Sequence, residues 1–249
     1  MEKKKILVMV GSPKNERSGT LVPTNAFVDG MIASGDYESE YIYIDRMNIK
    51  PCRGCLSCWG RPDGSCFIKD DDVPAIRHKL ETANVVIWSF PLYLFGVPGQ
   101  MKCLMDRIVG MVHPYMGQQL EDPDAMNKPM HGLKNQKEGQ KILLLSSCAW
   151  CDIDVVYEPI VRQFDIILGK DGYQLVAAPQ MRSLHHRGGP RRLKMLHDKY
   201  YDGGVEMAKN GCLSAETIAL LQKPIFSDDV YKKLVVEFVT HMFDRDDNF

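Results

Sequence analysis

Fifteen residues, from Ile6 to Thr20, give the clearest indication of the fold. Residues 6–10 read Ile-Leu-Val-Met-Val, and residues 11–20 read Gly-Ser-Pro-Lys-Asn-Glu-Arg-Ser-Gly-Thr. A short continuous apolar run of this kind is typical of a strand that is buried on both faces of a parallel sheet. The polar loop after it would direct backbone N–H groups, and the positive end of the next helix dipole, at whatever lies beyond the strand. The stretch therefore predicts a strand, an anion-binding loop and a helix.

Four further apolar runs alternate with helical patterns along the chain. The runs are residues 41–44, 85–90, 142–145 and 173–177. The run at 41–44 alternates in polarity more than the others, so we place it at an edge of the sheet. Helices are predicted to begin near residues 18, 71, 98, 155, 192, 214 and 228. Regular alternation of strands and helices indicates right-handed βαβ units, and therefore an α/β fold with a doubly wound, five-stranded parallel sheet.

The composition argues against several classes of partner. The 249 residues include 31 Lys and Arg against 32 Asp and Glu, which gives a formal net charge of −1. This balance favours neither a nucleic acid nor an anionic membrane as a partner. It also argues against a small electron shuttle, because such proteins usually find their partners through one strongly charged face.

The location and the domain organisation follow from the same features. The apolar run after the basic N-terminus is too short for a signal peptide, and no stretch approaches the roughly 20 apolar residues that cross a bilayer. We therefore expect a cytoplasmic protein whose eight cysteines are reduced. We expect residues 1–185 to form one α/β domain. Residues 186–249 would form a helical extension packed on that domain or on a partner subunit.

The loop after the first strand offers a set of groups suited to a phosphate. Ser12, Ser18 and Thr20 supply hydroxyls, Lys14 supplies charge, and Leu21 follows at the helix start. The spacing matches neither G-x-G-x-x-G nor G-x-x-x-x-G-K-[ST], so neither a dinucleotide-binding Rossmann site nor a P-loop is predicted. The alternative is a helix start capped by serine, with no ligand.

This loop resembles the GSPR-x-x-x-x-T loop of the NADPH-dependent FMN reductase and iron–sulfur flavoprotein families, which are flavodoxin-like. In those families the serines and the threonine hold the FMN phosphate, and Lys14 stands where the pattern usually has arginine. The resemblance covers about residues 5–180. It implies the strand order 2-1-3-4-5 and an FMN phosphate held by Ser12, Lys14, Ser18, Thr20 and Leu21.

A second stretch, residues 91–102, resembles the P-x-Y-x-x-G-x-P-G-x-x-K segment of the same families and is followed by Asp106 and Arg107. It would lie across the crevice where the strand order reverses and where ligands bind in such sheets. Asp106 and Arg107 are interpreted as a structural pair. The loop after the fourth strand would close over the flavin ring. The expected ring contacts are Pro91, Leu92, Tyr93, Leu94, Phe95, Gly96, Ser147, Cys148, Ala149 and Trp150.

Four cysteines form a C-x2-C-x2-C-x7-C pattern after the second strand: Cys52, Cys55, Cys58 and Cys66. The spacing is compatible with a [4Fe–4S] cluster and resembles the cluster-binding run of the iron–sulfur flavoproteins. A structural zinc is a second alternative, although all-cysteine zinc sites usually show two separated C-x2-C pairs. The third is no metal at all, with the cysteines as small buried apolar side chains. All three remain open.

Two other groups are candidate sites. Cys148 and Cys151 form a C-x-x-C pair that could act as a dithiol, but their position favours a structural or flavin-lining role. Cys103 is predicted to lie in the core and Cys212 to be incidental. His185, His186 and Arg187 lie after the fifth strand, where they would contact a nicotinamide phosphate or a quinone; a solvated basic loop is the simpler interpretation.

The resemblance implies an FMN-dependent NAD(P)H oxidoreductase that acts on a small acceptor such as a quinone, a flavin or a nitro compound. No catalytic side chain is required, because the flavin carries the chemistry. The same resemblance implies a homo-oligomer, commonly a dimer, with the flavin near the subunit interface. Two alternatives stand beside it: an iron–sulfur electron-transfer protein that uses no nicotinamide, and a non-catalytic flavin- or metal-binding sensor.

Overall fold

A computed structural model of the chain describes residues 3–112, 133, 135–181 and 189–243. The strands are β1 (Lys4–Val10), β2 (Tyr37–Tyr43), β3 (Val85–Pro91), β4 (Lys141–Ser147) and β5 (Gln174–Ala178). The helices are α1 (Leu21–Ser34), α2 (Val73–Thr82), α3 (Gly99–Arg107), α4 (Ile153–Leu168), α5 (Gly189–Asn210), α6 (Ala215–Leu221) and α7 (Asp228–Phe243). Short 3-10 turns occupy Asn15–Arg17, Ile44–Arg46 and Val109–Met111.

The five strands form one parallel sheet in the order β2-β1-β3-β4-β5, which confirms the predicted fold class. β1 lies between β2 and β3, so that Val8 is paired with both Tyr41 and Ile87. Residues 6–10 are buried, as expected for a strand covered on both faces. β2 is an edge strand and exposes Glu38, Ser39 and Glu40, as the sequence predicted.

Helices cover both faces of the sheet. On one face the alternate β1 residues Ile6, Val8 and Val10 pack with α1 and α5, and on the other face Leu7 and Met9 pack with α2, α3 and α4. This alternation follows from the two-residue period of a strand. α1 begins at Leu21, later than the predicted start near residue 18, because the preceding residues form the Asn15–Arg17 turn.

The long helix α5 packs on α1 through two glycines. A Cβ atom built on Gly30 would lie 2.0 Å from the carbonyl oxygen of Tyr201, and one built on Gly204 would lie 1.9 Å from that of Phe27. The two backbones therefore approach more closely than any side chain would permit. Leu196, Tyr200 and Met207 of α5 enter the same core as α1.

None of the helices within the described ranges combines the length and the apolar character needed to span a lipid bilayer.

Candidate functional site

The loops that follow β1, β3 and β4 meet at the carboxyl edge of the sheet. The Gly11 amide donates to the Ser89 carbonyl at 2.8 Å, and the Leu92 amide donates to the Ser147 carbonyl, also at 2.8 Å. The hydroxyl oxygens of Thr20 and Ser147 lie 2.5 Å apart. The structure thus brings together the three loops that the sequence singled out, around the point where the strand order reverses.

The loop after β1 holds three buried hydroxyl groups at the start of α1. Ser12, Ser18 and Thr20 are 2, 5 and 2% exposed. The Ser12 hydroxyl oxygen accepts the Lys14 amide and the Ser18 hydroxyl oxygen accepts the Thr20 amide, each at 3.3 Å. Because both oxygens act as acceptors, their own protons stay available, and no acceptor for them occurs among the described residues. Lys14 is exposed.

Two further hydroxyls below the loop were not identified from the sequence. The Thr24 hydroxyl donates to the Thr20 carbonyl at 2.8 Å and lies 2.8 Å from the Ser89 hydroxyl. Thr24 and Ser89 are buried. They hold the first turn of α1 against β3. A threonine in a helix and a serine in a strand carry no pattern that indicates such a partnership, which depends on the fold.

Leu21 takes a different position from the other predicted phosphate contacts. Its side chain lies in the hydrophobic core at 3% exposure, and its amide already donates to the Ser18 carbonyl at 3.1 Å. In the same loop, Asn15 has a positive φ of 50°, and its buried side-chain oxygen has no hydrogen-bond partner within the described residues. Buried polar atoms are nearly always hydrogen-bonded, so this oxygen is an exception within the loop.

The loop after β3 contains a tight turn with unusual backbone geometry. Tyr93 and Gly96 exchange backbone hydrogen bonds at 3.0 and 2.9 Å. The two central residues, Leu94 and Phe95, have φ values of 45° and 59°, a region that bulky residues rarely adopt. Such local strain is concentrated at ligand-binding sites. Leu94 is 95% exposed, so the turn presents apolar side chains to solvent at the mouth of the crevice.

Phe95 faces the loop after β4. Its ring centroid lies 6.2 Å from that of Trp150, with the two planes inclined by 32°. Both aromatic side chains are about half exposed, although each has enough apolar surface to favour burial. Pro91, Leu92 and Gly96 are half-buried at the base of the turn. The pair forms an open aromatic surface beside the buried hydroxyls.

The loop after β4 is anchored from below. Cys148 is buried, and burial raises the pKa of its thiol. The Tyr157 hydroxyl donates to the Ser146 hydroxyl at 2.8 Å, and that group donates to the Phe90 carbonyl at 2.8 Å. Ala149 is exposed, and its carbonyl accepts the Tyr231 hydroxyl of α7. The backbone of this loop is therefore fixed, while Trp150 extends from it.

The four cysteines of the C-x2-C-x2-C-x7-C pattern line one pocket of about 240 Å³. Cys52 and Cys55 are exposed, Cys66 is half-buried and Cys58 is buried, which raises the pKa of the Cys58 thiol. All four are free thiols. Within the described ranges, no three histidine, cysteine or acidic side chains are grouped closely enough to hold a single metal ion.

Three of the four sulfurs accept hydrogen bonds. Cys52 accepts the Gly54 amide at 3.4 Å, and Cys55 accepts the Ser57 hydroxyl at 3.3 Å. The latter bond is the main cause of a lowered pKa at Cys55. Cys66 accepts Nε of Arg107 at 3.3 Å. Donors that point at cysteine sulfurs stabilise thiolates, which are the form that binds a cluster. Four thiols around one pocket therefore fit an iron–sulfur group, whereas a preformed mononuclear site is not present in this part of the chain.

The interpretation of Asp106 and Arg107 as a pair is wrong. Asp106 accepts Nζ of Lys102 at 2.6 Å, one helical turn earlier. Arg107 is instead paired with Asp71, and both of these side chains are fully buried. Adjacent residues on a helix point about 100° apart, so that Asp106 and Arg107 face different surroundings.

The remaining candidates lie elsewhere or outside the described residues. Cys103 is half-buried, so its predicted core position is only partly met, and Cys212 is exposed. Cys148 and Cys151 are both free, and Cys151 accepts the Gln180 side-chain amide at 3.3 Å. His185, His186 and Arg187 lie outside the described residues.

Comparisons with known proteins place this geometry in context. A family model described as flavodoxin-like fold matches residues 4–147. An iron–sulfur flavoprotein of Methanocaldococcus jannaschii is 37% identical over 103 residues, which are 41% of this chain and 51% of that protein. NAD(P)H dehydrogenase [quinone] 1 of Rattus norvegicus is 28% identical over 127 residues, which are 50% of this chain and 44% of that protein. The chain thus spans about half the length of these curated relatives.

Two solved structures share the fold. An FMN-dependent NADH-azoreductase from Bacillus anthracis, in complex with FMN, superposes with a TM-score of 0.59 at 18% identity. An NAD(P)H:quinone oxidoreductase from Methanothermobacter marburgensis gives a TM-score of 0.60 at 16% identity. Each match covers 82% of this chain and 99% of the other. At these identities the likeness concerns the architecture of the chain.

Proposed function

This chain belongs to the family of flavodoxin-like fold, and from that premise we propose that it is an FMN-dependent NAD(P)H oxidoreductase. It passes electrons from a nicotinamide through bound FMN to a small acceptor such as a quinone, a flavin or a nitro compound. The observation that carries the proposal is the group of buried hydroxyls at the start of α1. Among the described residues, the hydroxyl protons of Ser12 and Ser18 have no acceptor, and the bonded pair of Thr20 and Ser147 retains one more proton.

A phosphate monoester matches this set of donors. Hydroxyl protons and a helix N-terminus both favour an anion, and Lys14 can approach it from the exposed side of the loop. The buried location strengthens each such hydrogen bond, because competing water is excluded. Leu21 contributes mainly by anchoring the start of the helix in the core.

The two neighbouring loops suit an aromatic ring system. Phe95 and Trp150 offer apolar faces, and the backbone from Leu92 to Gly96 offers polar groups at the ring edge. When bound, FMN supplies the redox chemistry by accepting a hydride and releasing electrons. The side chains of this chain bind the phosphate, orient the ring and exclude water, and none of them is needed as an acid or base.

Location and assembly are part of the same proposal. All eight cysteines are free thiols, which supports a reducing compartment and therefore the cytoplasm. Exposed apolar side chains at Leu94 and Trp150, and on α7 at Val236, support a homo-oligomer in which a second subunit covers part of this surface.

A second candidate function is favoured by the pocket of four cysteines. Cys52, Cys55, Cys58 and Cys66 would hold a [4Fe–4S] cluster, which supplies single-electron transfer when bound. The similarity to iron–sulfur flavoproteins supports this candidate. In that case the protein transfers electrons between protein partners and has no need of a nicotinamide.

Anaerobic purification followed by rapid mixing with NADH and NADPH separates these functions. If the chain is the oxidoreductase, the purified protein should be yellow. Its flavin absorbance should then fall after rapid mixing with NADH or NADPH. A brown protein that contains iron and acid-labile sulfide, and that nicotinamides do not reduce, identifies the electron-transfer protein. A flavin-containing protein with no cluster and no reduction by either nucleotide would contradict both candidates and leave a sensor.

A further inference from the structure

Arg107, at the end of α3, is the most completely hydrogen-bonded charged side chain beside the cysteine pocket. Its side chain and that of Asp71 are both fully buried, and the two form an ion pair. Nε donates to Cys66 Sγ at 3.3 Å. Nη1 donates to the Lys50 carbonyl at 2.7 Å and to Asp71. Nη2 donates to the Ile68 carbonyl at 3.0 Å and to the other Asp71 oxygen at 3.3 Å.

These partners belong to both ends of the cysteine loop, which is the segment of residues 50–71 that carries the four cysteines. Lys50 precedes Cys52, while Cys66, Ile68 and Asp71 lie at the far end of the loop. A planar guanidinium presents its donors in a fixed fork, so that one side chain can close the loop from within. Burying a charged guanidinium this completely costs free energy unless the charge is paired and each N–H donor has an acceptor. Arg107 meets both conditions.

Neighbouring contacts hold the same closure. The Asn48 amide donates to Asp72 at 2.8 Å, and the Asp72 amide donates back to the Asn48 carbonyl at 3.0 Å. Next to Arg107, the turn at Gly110 packs directly on Gly64 of the loop, where an added Cβ on Gly64 would lie 2.0 Å from the Gly110 carbonyl oxygen. The end of α3 and its following turn therefore form the support on which the cysteine loop rests.

The other end of α3 lies at the candidate flavin site. The helix begins at Gly99, directly after the strained turn that carries Phe95. Its nine residues span roughly 13 Å at 1.5 Å per residue. One short, rigid element thus fixes the cysteine pocket relative to the aromatic surface.

The geometry points to Arg107 as the positioning residue of the cysteine pocket. It closes the loop from within and keeps a donor on the sulfur of Cys66. Whether this pocket binds an iron–sulfur cluster rests on the second candidate function proposed above. A donor to a ligating sulfur stabilises the more negative, reduced state of a cluster, and so raises its reduction potential.

Alkylation of the metal-free protein tests the closed loop without relying on a cluster. The test variant combines Arg107→Met with Asp71→Asn, which leaves no unpaired buried charge. Lys79→Met, which removes an exposed surface pair with Glu40, is the control. N-Ethylmaleimide labelling is followed by mass spectrometry, with the exposed Cys52 and Cys55 as internal references.

We expect the buried Cys58 to react about tenfold faster in the double variant, as when local opening becomes about 1.4 kcal/mol easier. Cys66 is left out as a reporter, because the loss of its Arg107 donor also makes its thiolate less stable. The control should keep the wild-type pattern. Equal labelling of Cys58 in the double variant and the wild type would overturn the positioning role. If the double variant does not fold, Arg107→Lys takes its place, because it keeps the charge but loses the fork.

The reconstituted protein gives a second, independent measurement. Compared at equal iron and sulfide content, Arg107→Lys should show a lower midpoint potential than the wild type, because Cys66 has lost its donor. An unchanged potential would contradict the role of Arg107 at Cys66. A wild type that takes up no iron and sulfide removes the second candidate function, and the labelling pattern then decides the positioning role alone.

Discussion

The hydroxyl oxygen of Thr20, at the start of α1, lies 2.5 Å from that of Ser147, at the end of β4. Thr20 belongs to the candidate phosphate loop, and the Ser147 carbonyl accepts the amide of Leu92 in the candidate ring loop. This pair of residues therefore connects the two halves of the proposed FMN site. A fixed connection of this kind limits the ordering that binding requires, and so reduces its entropy cost.

Thr20→Val should weaken FMN binding by about 1–3 kcal/mol, or roughly fivefold to more than a hundredfold in Kd, because it removes one donor and leaves Ser147 unpaired in a buried site. Fluorescence titration with FMN measures the change. Thr82→Val is the matched control, since the Thr82 hydroxyl bonds only to its own helix on the exposed side of α2. Equal Kd values for the two variants would place the phosphate elsewhere.

Trp150→Ala should weaken FMN binding by about 0.5–1.5 kcal/mol, the range for one aromatic contact. Because the indole is about half exposed, the thermal unfolding temperature of the flavin-free protein should change little. Trp150→Phe keeps an aromatic face and should restore most of the affinity. A loss of stability with no loss of affinity would show that Trp150 is structural.

Gly204→Ala should destabilise the fold by about 1–3 kcal/mol or more, because its Cβ would overlap the Phe27 carbonyl and force α5 away from α1. Gly99→Ala is the control, as an added Cβ there meets no atom of the described residues within 4 Å. The control should be neutral or slightly stabilising. Urea unfolding of both variants gives the comparison, and two equal free energies of unfolding would refute the close helix contact.

The buried ammonium group of Lys199 should make the stability of the fold depend on pH. Burial lowers the pKa of its ammonium group from 10.5 to about 8 in the folded chain. The unfolded chain therefore holds more protons between about pH 8 and pH 10.5, and the free energy of unfolding contributed by this residue rises with pH over that interval. Wild type should gain stability relative to Lys199→Met from pH 8 to pH 10. Parallel pH profiles for the two proteins would contradict the shift.

Much of the fold could be predicted from the sequence because its signals are local. The continuous apolar run at residues 6–10 and the alternation of strands with helices indicate a parallel sheet, and the order of the five strands followed from a family resemblance. The meeting of three loops is a consequence of that topology, since the carboxyl ends of parallel strands lie at one edge.

What the sequence could not provide were the partners of polar side chains that are distant along the chain. Arg107 is paired with Asp71, 36 residues earlier, and Thr20 is paired with Ser147, 127 residues later. Neither spacing leaves a periodic signal, because the pairing depends on how loops cross the sheet. The close approach of α5 to α1 at Gly204 is likewise visible only once both helices are packed.

The proposed phosphate site depends on the buried hydroxyls at Ser12, Ser18 and Thr20. Titration of the flavin-free protein with FMN and with riboflavin, which lacks the phosphate, tests it most directly. We expect the wild type to bind one FMN per chain, far more tightly than it binds riboflavin. In the double variant that combines Ser12→Ala with Ser18→Ala, the affinities for FMN and riboflavin should become similar. Equal affinity of the wild type for FMN and riboflavin, or no binding of either, would contradict the account.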